Sequence, residues 1–264
     1  MHIRATRFQA LTAAAVMLAT AAVLLSGGMV RIALLCGTAV VYLVVTGLGV
    51  AFLSLQLFGR SICRVPTLEK AVALTFDDGP DPVRTPGLLD LLAARGVKAT
   101  FFCVGAEVLK APEIVARASR EGHLVGNHGF GHSNLTNFYG VGRLRGDIGR
   151  AQAAITEVTG RPPEFFRPPI GLSNPRVFRV AGELGLKVVG WSIRSLDTKG
   201  APVDAVIGRV RGGLRPGAII LLHDGHQDPD RVLGLVAKLV DSVKADGYQF
   251  VRLDELLSGA QGVR

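Results

Sequence analysis

Two aspartates stand side by side in Thr75-Phe76-Asp77-Asp78-Gly79-Pro80, directly after an apolar run and directly before a turn. Adjacent carboxylates repel, so the pair is costly unless a cation lies against it. A turn splays the two side chains, which lets one ligate a metal while the other accepts a proton. The bland alternative is a solvated Asp-rich turn, common ahead of Gly-Pro. A second group, Asn127-His128-Gly129-Phe130-Gly131-His132-Ser133, carries two imidazoles at i and i+4. That spacing aligns them on one face of a helical turn and is a usual metal-pair arrangement. The flanking glycines favour a loop or short turn over a long helix. No Glu follows His128, so this is not the zinc-protease helix. One Asp with two His leaves coordination positions open, which fits a hydrolytic rather than a structural metal.

Three further groups could complete a site. In Phe165-Phe166-Arg167-Pro168-Pro169-Ile170-Gly171 the prolines stiffen the backbone after an arginine that cannot lose its charge. Such an arginine can orient a carboxylate, and the Ile170 amide could point at an oxyanion. Trp191-Ser192-Ile193-Arg194-Ser195-Leu196-Asp197 offers an acid able to pair with Arg167. Leu221-Leu222-His223-Asp224-Gly225 puts a histidine at a strand end, suited to general acid work. His128, His132 and His223 are three of the chain's six histidines. His226 reads as a loop residue, His123 as structural, Asp224 as a supporting group, and Trp191 as either core or sugar platform.

The elements that must position these groups alternate along the chain. AVALTF, VKATFFCV, HLVGN, LKVVGWSI, GAIILLH and YQFVRL read as strands. Helices are expected over 86–95, 112–121, 143–158, 175–184, 203–210 and 231–245, several ended by glycine. Such alternation argues a parallel α/β fold, either a barrel or a doubly wound sheet. Apolar runs that end in Asp77-Asp78, in His223 and in Arg194 favour the barrel, whose chemistry sits at the C-terminal strand ends.

Composition divides the 264-residue chain. No residue is charged from Phe8 to Val30, nor from Ile32 to Gly59. The expected organisation is a membrane anchor at 1–59 with spans 8–25 and 32–58, a linker at 60–70, a catalytic domain at 71–257 and a tail at 258–264. Ser26-Gly27-Gly28 would turn the chain between the spans. A cleavable signal peptide is the alternative for the first span. The net charge is +9. Arg4, Arg7, Arg31, Arg60, Arg64 and Lys70 lie beside the apolar segments, where anionic lipid would meet them. Two spans put the N-terminus and the domain on one side, and the charge pattern leans that side to the cytoplasm. The domain has no basic run interleaved with aromatics, which argues against nucleic acid as a partner. Cys36, Cys63 and Cys103 fit neither a zinc knuckle nor a disulfide framework.

Taken in order, the five motifs resemble the polysaccharide deacetylase family, with its NodB-homology domain (carbohydrate esterase family 4), in a membrane-anchored bacterial form. The resemblance covers about Lys70 to Leu257. It implies a distorted parallel (β/α) barrel and one divalent metal, usually zinc, with cobalt or nickel accepted. It implies hydrolysis of N-acetyl groups on amino-sugar polymers or conjugates, such as chitin, peptidoglycan or biofilm polysaccharide. By position, Asp77 would be the base, and Asp78, His128 and His132 the metal ligands. Arg167 would orient Asp77, Asp197 would pair with Arg167, and His223 would protonate the leaving amine. The Ile170 amide would serve the oxyanion, at a position where the family often has Tyr. The family often has Asp where this chain has Arg194 and Trp where it has Thr198, which bears on the substrate groove. The alternatives are a deacylase or deformylase of a lipid-linked amino sugar, a catalytically silent carbohydrate-binding domain, and a metal phosphoesterase. The last would supply further ligands for a second metal, and the sequence has no such set.

Overall fold

The computed structural model describes residues 6–225 and 228–261. Arg4, His226 and the last residues of the tail lie outside the described residues. Nine strands run in chain order: β1 (Ser61–Ile62), β2 (Ala71–Asp77), β3 (Thr100–Cys103), β4 (Leu124–Asn127), β5 (Phe165–Phe166), β6 (Lys187–Val189), β7 (Ile193–Arg194), β8 (Ile219–His223) and β9 (Gln249–Val251). The helices are α1 (Arg7–Leu25), α2 (Gly28–Ala51), α3 (Thr85–Ala94), α4 (Gly105–Lys110), α5 (Pro112–Arg120), α6 (Val141–Thr159), α7 (Pro175–Glu183), α8 (Val203–Gly213), α9 (Pro229–Ala245) and α10 (Leu253–Gln261).

β2 is the central strand, and its pleat explains the layering. Val72, Leu74 and Phe76 point one way, into the core shared with α3, α5, α8 and α9. Ala71, Ala73, Thr75 and Asp77 alternate to the other face, where Ala71 and Ala73 meet Phe102, Phe165 and Ile219. All seven residues are buried, as expected of a parallel strand covered on both sides. The sheet order is β1-β6-β5-β4-β3-β2-β8-β7, with β9 added to the first half of β2. The strand pairings are parallel. β6 and β7 are consecutive in the chain yet lie towards opposite ends of the order, so the sheet curls into a parallel β/α half-barrel.

That architecture agrees with the distorted barrel expected from sequence, with local differences. The run LKVVGWSI is two short strands, broken at Gly190-Trp191. β1, inside the expected linker, pairs with β6 and belongs to the sheet.

α1 and α2 have mean hydropathies of 2.0 and 2.2 and expose most of their apolar side chains. At 1.5 Å per residue they reach about 28 and 36 Å, enough for a hydrocarbon core of ~30 Å. α2 ends at Ala51 rather than continuing to 58. Residues 52–58 turn back through a short 3₁₀ helix, and Leu53, Leu57 and Phe58 are buried. Their apolarity serves packing against the domain.

Candidate active site

Strand register brings the motifs together. Asp77 at the end of β2 lies beside His223 at the end of β8, and beside Phe102 of β3. Asn127 at the end of β4 lies beside Phe166 of β5. The loops leaving these strand ends surround a cavity of about 160 Å³ lined by Asp77, Asp78, His128, His132, Ile170 and His223, together with Trp191, Arg194, Thr198 and Lys199.

The first flank is a buried ion pair. Arg167 donates from one guanidinium nitrogen to Asp77 Oδ1 at 2.7 Å and to Thr75 Oγ1 at 2.8 Å, and from the other to the Gly190 carbonyl at 2.9 Å. Its guanidinium lies over the Phe102 ring, 4.1 Å from the centroid. Thr75 Oγ1 in turn donates to the Ile220 carbonyl. Burial lowers the Arg167 pKa and the charge of Asp77 opposes that fall. An arginine stays charged throughout.

The second group is the Asp-His-His cluster. Asp78 Oδ1 is 3.5 Å from His128 Nε2 and 3.1 Å from His132 Nε2, and one donor atom from each residue lies within 4.8 Å of the others. The imidazoles meet through a loop, not a helix. Gly129 and His132 are both at positive φ, which few side chains adopt freely. Asn127 Oδ1 accepts from the Gly129 amide, and Asp147 accepts from the amides of Phe130 and Gly131. His128 Nδ1 donates to the Arg167 carbonyl at 2.7 Å, leaving Nε2 as the electron-pair donor. The side chain of His128 is 2% exposed, against 20% for Asp78 and 29% for His132, so the cluster opens on one side only.

Within the cluster the carboxylates and imidazoles shift one another's protonation. Burial works to raise the Asp78 pKa, but the hydrogen bond and charge of His128 and the charges of His132 and His223 hold it well below the usual range. Burial also opposes protonation of His128, yet Asp77 and Asp78 pull its pKa up. Burial and the nearby His128 push His132 down. Two imidazole nitrogens and a carboxylate with an open side fit a divalent ion that keeps room for solvent; the donors present suit the metal that the resemblance implies.

The third flank is His223. Its Nδ1 donates to Asp197 Oδ1 and its backbone amide to Asp197 Oδ2, each at 2.9 Å. Ser195 Oγ also donates to Asp197. Burial opposes charge on His223, but the bond and charge of Asp197 raise its pKa. This corrects the expected pairing of Asp197 with Arg167. Leu196 in the left-handed region turns the following short helix towards β8, and Arg167 is already held by Asp77, Thr75 and Gly190.

Ile170 lies at φ 61° in a tight turn after the two prolines. Its amide donates to no protein acceptor among the described residues, and the residue lines the cavity. Positive φ in non-glycine residues is concentrated here: Asp78, His132, Ile170 and Leu196 all have it, at ~1–3 kcal/mol each where the surroundings enforce it.

His123 is structural, as expected. It is buried, Nδ1 accepts from the Ala99 amide, and burial lowers its pKa to about 4. Asp224 is buried behind the Asp77-Asp78 turn, accepts from Thr85, and is pushed up to about 7 by burial. Trp191 is a cavity wall. Sequence reading missed Thr75, Asn127, Asp147 and Ser195. A hydroxyl on the inner face of an otherwise apolar strand was the one available signal, for Thr75.

A parallel β/α half-barrel with an Asp-His-His metal triad at its strand ends defines a class of metal hydrolase, and comparison with known proteins agrees. Residues 64–189 match the family model described as polysaccharide deacetylase. A peptidoglycan-N-acetylglucosamine deacetylase of Bacillus cereus is 38% identical over 195 residues, which is 73% of this chain and 91% of the relative. The crystal structure of the Bc1960 peptidoglycan N-acetylglucosamine deacetylase, in complex with 4-naphthalen-1-yl-N-oxidanyl-benzamide, matches with a TM-score of 0.70 at 34% identity, covering 74% of this chain and 92% of that one. The structure of BA3943, a carbohydrate esterase family 4 pseudoenzyme from Bacillus anthracis, matches with a TM-score of 0.69 at 25% identity, over 76% of this chain and 69% of that one. The chain belongs to the polysaccharide deacetylase family.

Proposed function

We propose that this chain hydrolyses the N-acetyl amide of N-acetylglucosamine-type residues in a glycan or glycoconjugate, and that it works from a membrane. The observation that carries the chemistry is the convergence of Asp77, the Asp78-His128-His132 triad and His223 on one cavity. The relatives named for peptidoglycan N-acetylglucosamine support the sugar class.

Asp78, His128 and His132 would hold one divalent ion, zinc by its preference for such nitrogen and oxygen donors, with cobalt or nickel accepted. Bound there, the ion supplies Lewis acidity to the scissile carbonyl. Asp77, aimed by the hydrogen bond from Arg167, takes the proton from the attacking water. The Ile170 amide donates to the oxyanion, a contact typically worth about 3 kcal/mol. His223, its proton secured by Asp197, protonates the nitrogen so that the amine can leave. Acetate released from an N-acetylglucosamine oligosaccharide by the metal-loaded protein tests this reading; phosphate release from phosphate esters with no acetate would refute it. The same assay separates an active enzyme from a silent domain such as a pseudoenzyme of the BA3943 kind.

The two apolar helices are read as a retained hairpin. The Phe8 amide donates to the Leu57 carbonyl and Arg7 to the Leu55 carbonyl, while the Phe8 and Phe58 rings meet at 5.1 Å. The start of α1 thus contacts the same turn that receives the end of α2, as two antiparallel spans require. With Arg7, Arg60, Arg64 and Lys70 on that side and Arg31 on the other, the domain faces the cytoplasm. Activity of a periplasm-only reporter at the C-terminus would contradict that orientation.

A further inference from the structure

We propose that the N-acyl sugar reaches this site on a membrane lipid, joined to it through a phosphate or diphosphate. The proposal rests on the deacylase reading and the retained anchor, and it names the substrate class for both.

The anchor and the catalytic cavity share walls. The chain leaves α2 at Ala51 and turns through Phe52–Ser54 directly onto the domain. The Ser173 amide, three residues beyond Ile170, donates to the Val50 carbonyl in the last turn of α2 at 3.1 Å. Ser61 Oγ donates to the Leu53 carbonyl at 2.6 Å, and Leu53 is buried in the core that contains Phe166 and Val177. A small second cavity lies between this elbow and Gly171, Gly190 and Trp191. Gly171 and Trp191 also line the catalytic cavity, so one indole separates the exit of α2 from the site. No flexible tether intervenes. With α2 in a bilayer, the mouth of the site is held at the headgroup layer.

The surface around that mouth suits the position. Phe52 on the elbow is 55% exposed and Ile170 on the catalytic loop 44%. Apolar and aromatic side chains stranded in this way are at home at the membrane interface. The cavity wall adds charge. Arg194 and Lys199 both line it, and neither forms an ion pair among the described residues. Arg194 lies over the Trp191 ring, 5.8 Å from its centroid, and a neutral glycan offers the two cations hydroxyl acceptors but no opposite charge. A phosphate offers both a partner, and the guanidinium fork matches its oxygens. A sugar phosphate on a lipid meets all three conditions at once: proximity to the bilayer, an apolar approach and an anionic link.

The test uses the full chain with zinc in vesicles of neutral phospholipid. Three substrates are compared: polyprenyl-diphosphate-linked N-acetylglucosamine in the same vesicles, soluble N-acetylglucosamine 1-phosphate, and a soluble neutral N-acetylglucosamine oligosaccharide. The expected kcat/KM for the lipid-linked sugar exceeds that for the oligosaccharide by about tenfold or more, the scale of one charge-assisted contact, with the sugar phosphate between them. Arg194→Ala combined with Lys199→Ala should lower the ratio of lipid-linked to oligosaccharide kcat/KM by about tenfold and remove the advantage of the sugar phosphate over the oligosaccharide. An oligosaccharide turned over as well as the lipid-linked sugar, or a ratio unchanged in the double variant, overturns the proposal. So does stimulation of oligosaccharide turnover by anionic phospholipid that the double variant abolishes, because the cations would then serve headgroups. Hydrolysis of none of the three would bring down the underlying deacylase reading as well.

Discussion

The two flanks of the cavity solve opposite problems with similar parts. On one side Asp77 is buried against Arg167, whose side chain is fully enclosed; on the other, His223 remains 19% exposed and only its partner Asp197 is enclosed. A carboxylate proposed as the base must be held in one orientation, and arginine does this with a charge it cannot give away. An acid that must lose and regain a proton needs a partner that raises its affinity without trapping it. A carboxylate on Nδ1 does this while the ring keeps contact with the cavity. On the proposed roles, the first flank couples catalysis to stability and the second couples it to pH.

The largest effect that could break this contrast is at Arg167. Arg167→Met should destabilise the domain by about 3–5 kcal/mol, because Asp77 is left as an uncompensated buried charge, and should abolish acetate release. Chemical denaturation beside the activity assay checks both. A stable, active Arg167→Met protein would mean that the pair does not anchor the base. Next is Gly79→Ala. A Cβ at Gly79 would run into the Asp224 carboxylate, so the turn that splays Asp77 from Asp78 must shift. A loss of about 1–3 kcal/mol is expected, the usual scale of overpacking, together with weaker zinc retention in a chelator titration.

Asp197→Asn probes the second flank. Without the carboxylate, the raised pKa of His223 should fall back towards its usual 6.5. The protonated acid is then lost earlier as pH rises, and the alkaline limb of kcat/KM moves to lower pH. Turnover should drop about 10- to 100-fold, as for other groups that orient a catalytic imidazole. An unmoved alkaline limb would detach His223 from the acid role. The smallest effect is remote from both flanks. His123 has a folded pKa of about 4 against a usual 6.5. Below pH 6.5 the unfolded chain takes up that proton first, so this contribution to stability is complete above 6.5 and is lost as pH falls towards 4. His123→Gln should flatten the stability profile in that window, read by melting temperature; a profile as steep as the parent's would assign the acid sensitivity elsewhere.

Much of the site was legible because parallel strands end where motifs begin. Asp77, His128, Arg167 and His223 each follow, or close, an apolar run. The register of β2 with β8 then does what no local pattern states, setting Asp77 beside His223. Asp197 was misassigned because pairing by charge alone favours any nearby arginine. Its direction is set by the left-handed Leu196, a backbone state that leucine identity does not announce. Residues 52–58 read as membrane span because an apolar side chain looks the same whether it meets lipid or core. Leu53, Leu57 and Phe58 meet core. β5 and α4 escaped notice for the plainer reason that two or six residues carry too little periodicity.

The central claim is that Asp78, His128 and His132 hold one metal ion while Asp77 does the proton chemistry beside it. Metal content per chain, measured by elemental mass spectrometry alongside acetate release, tests it in two variants of the full-length protein. Asp77→Asn should keep about one zinc per chain and lose turnover, and His128→Ala should lose both. Normal turnover in Asp77→Asn, or an undiminished metal content in His128→Ala, would contradict the account.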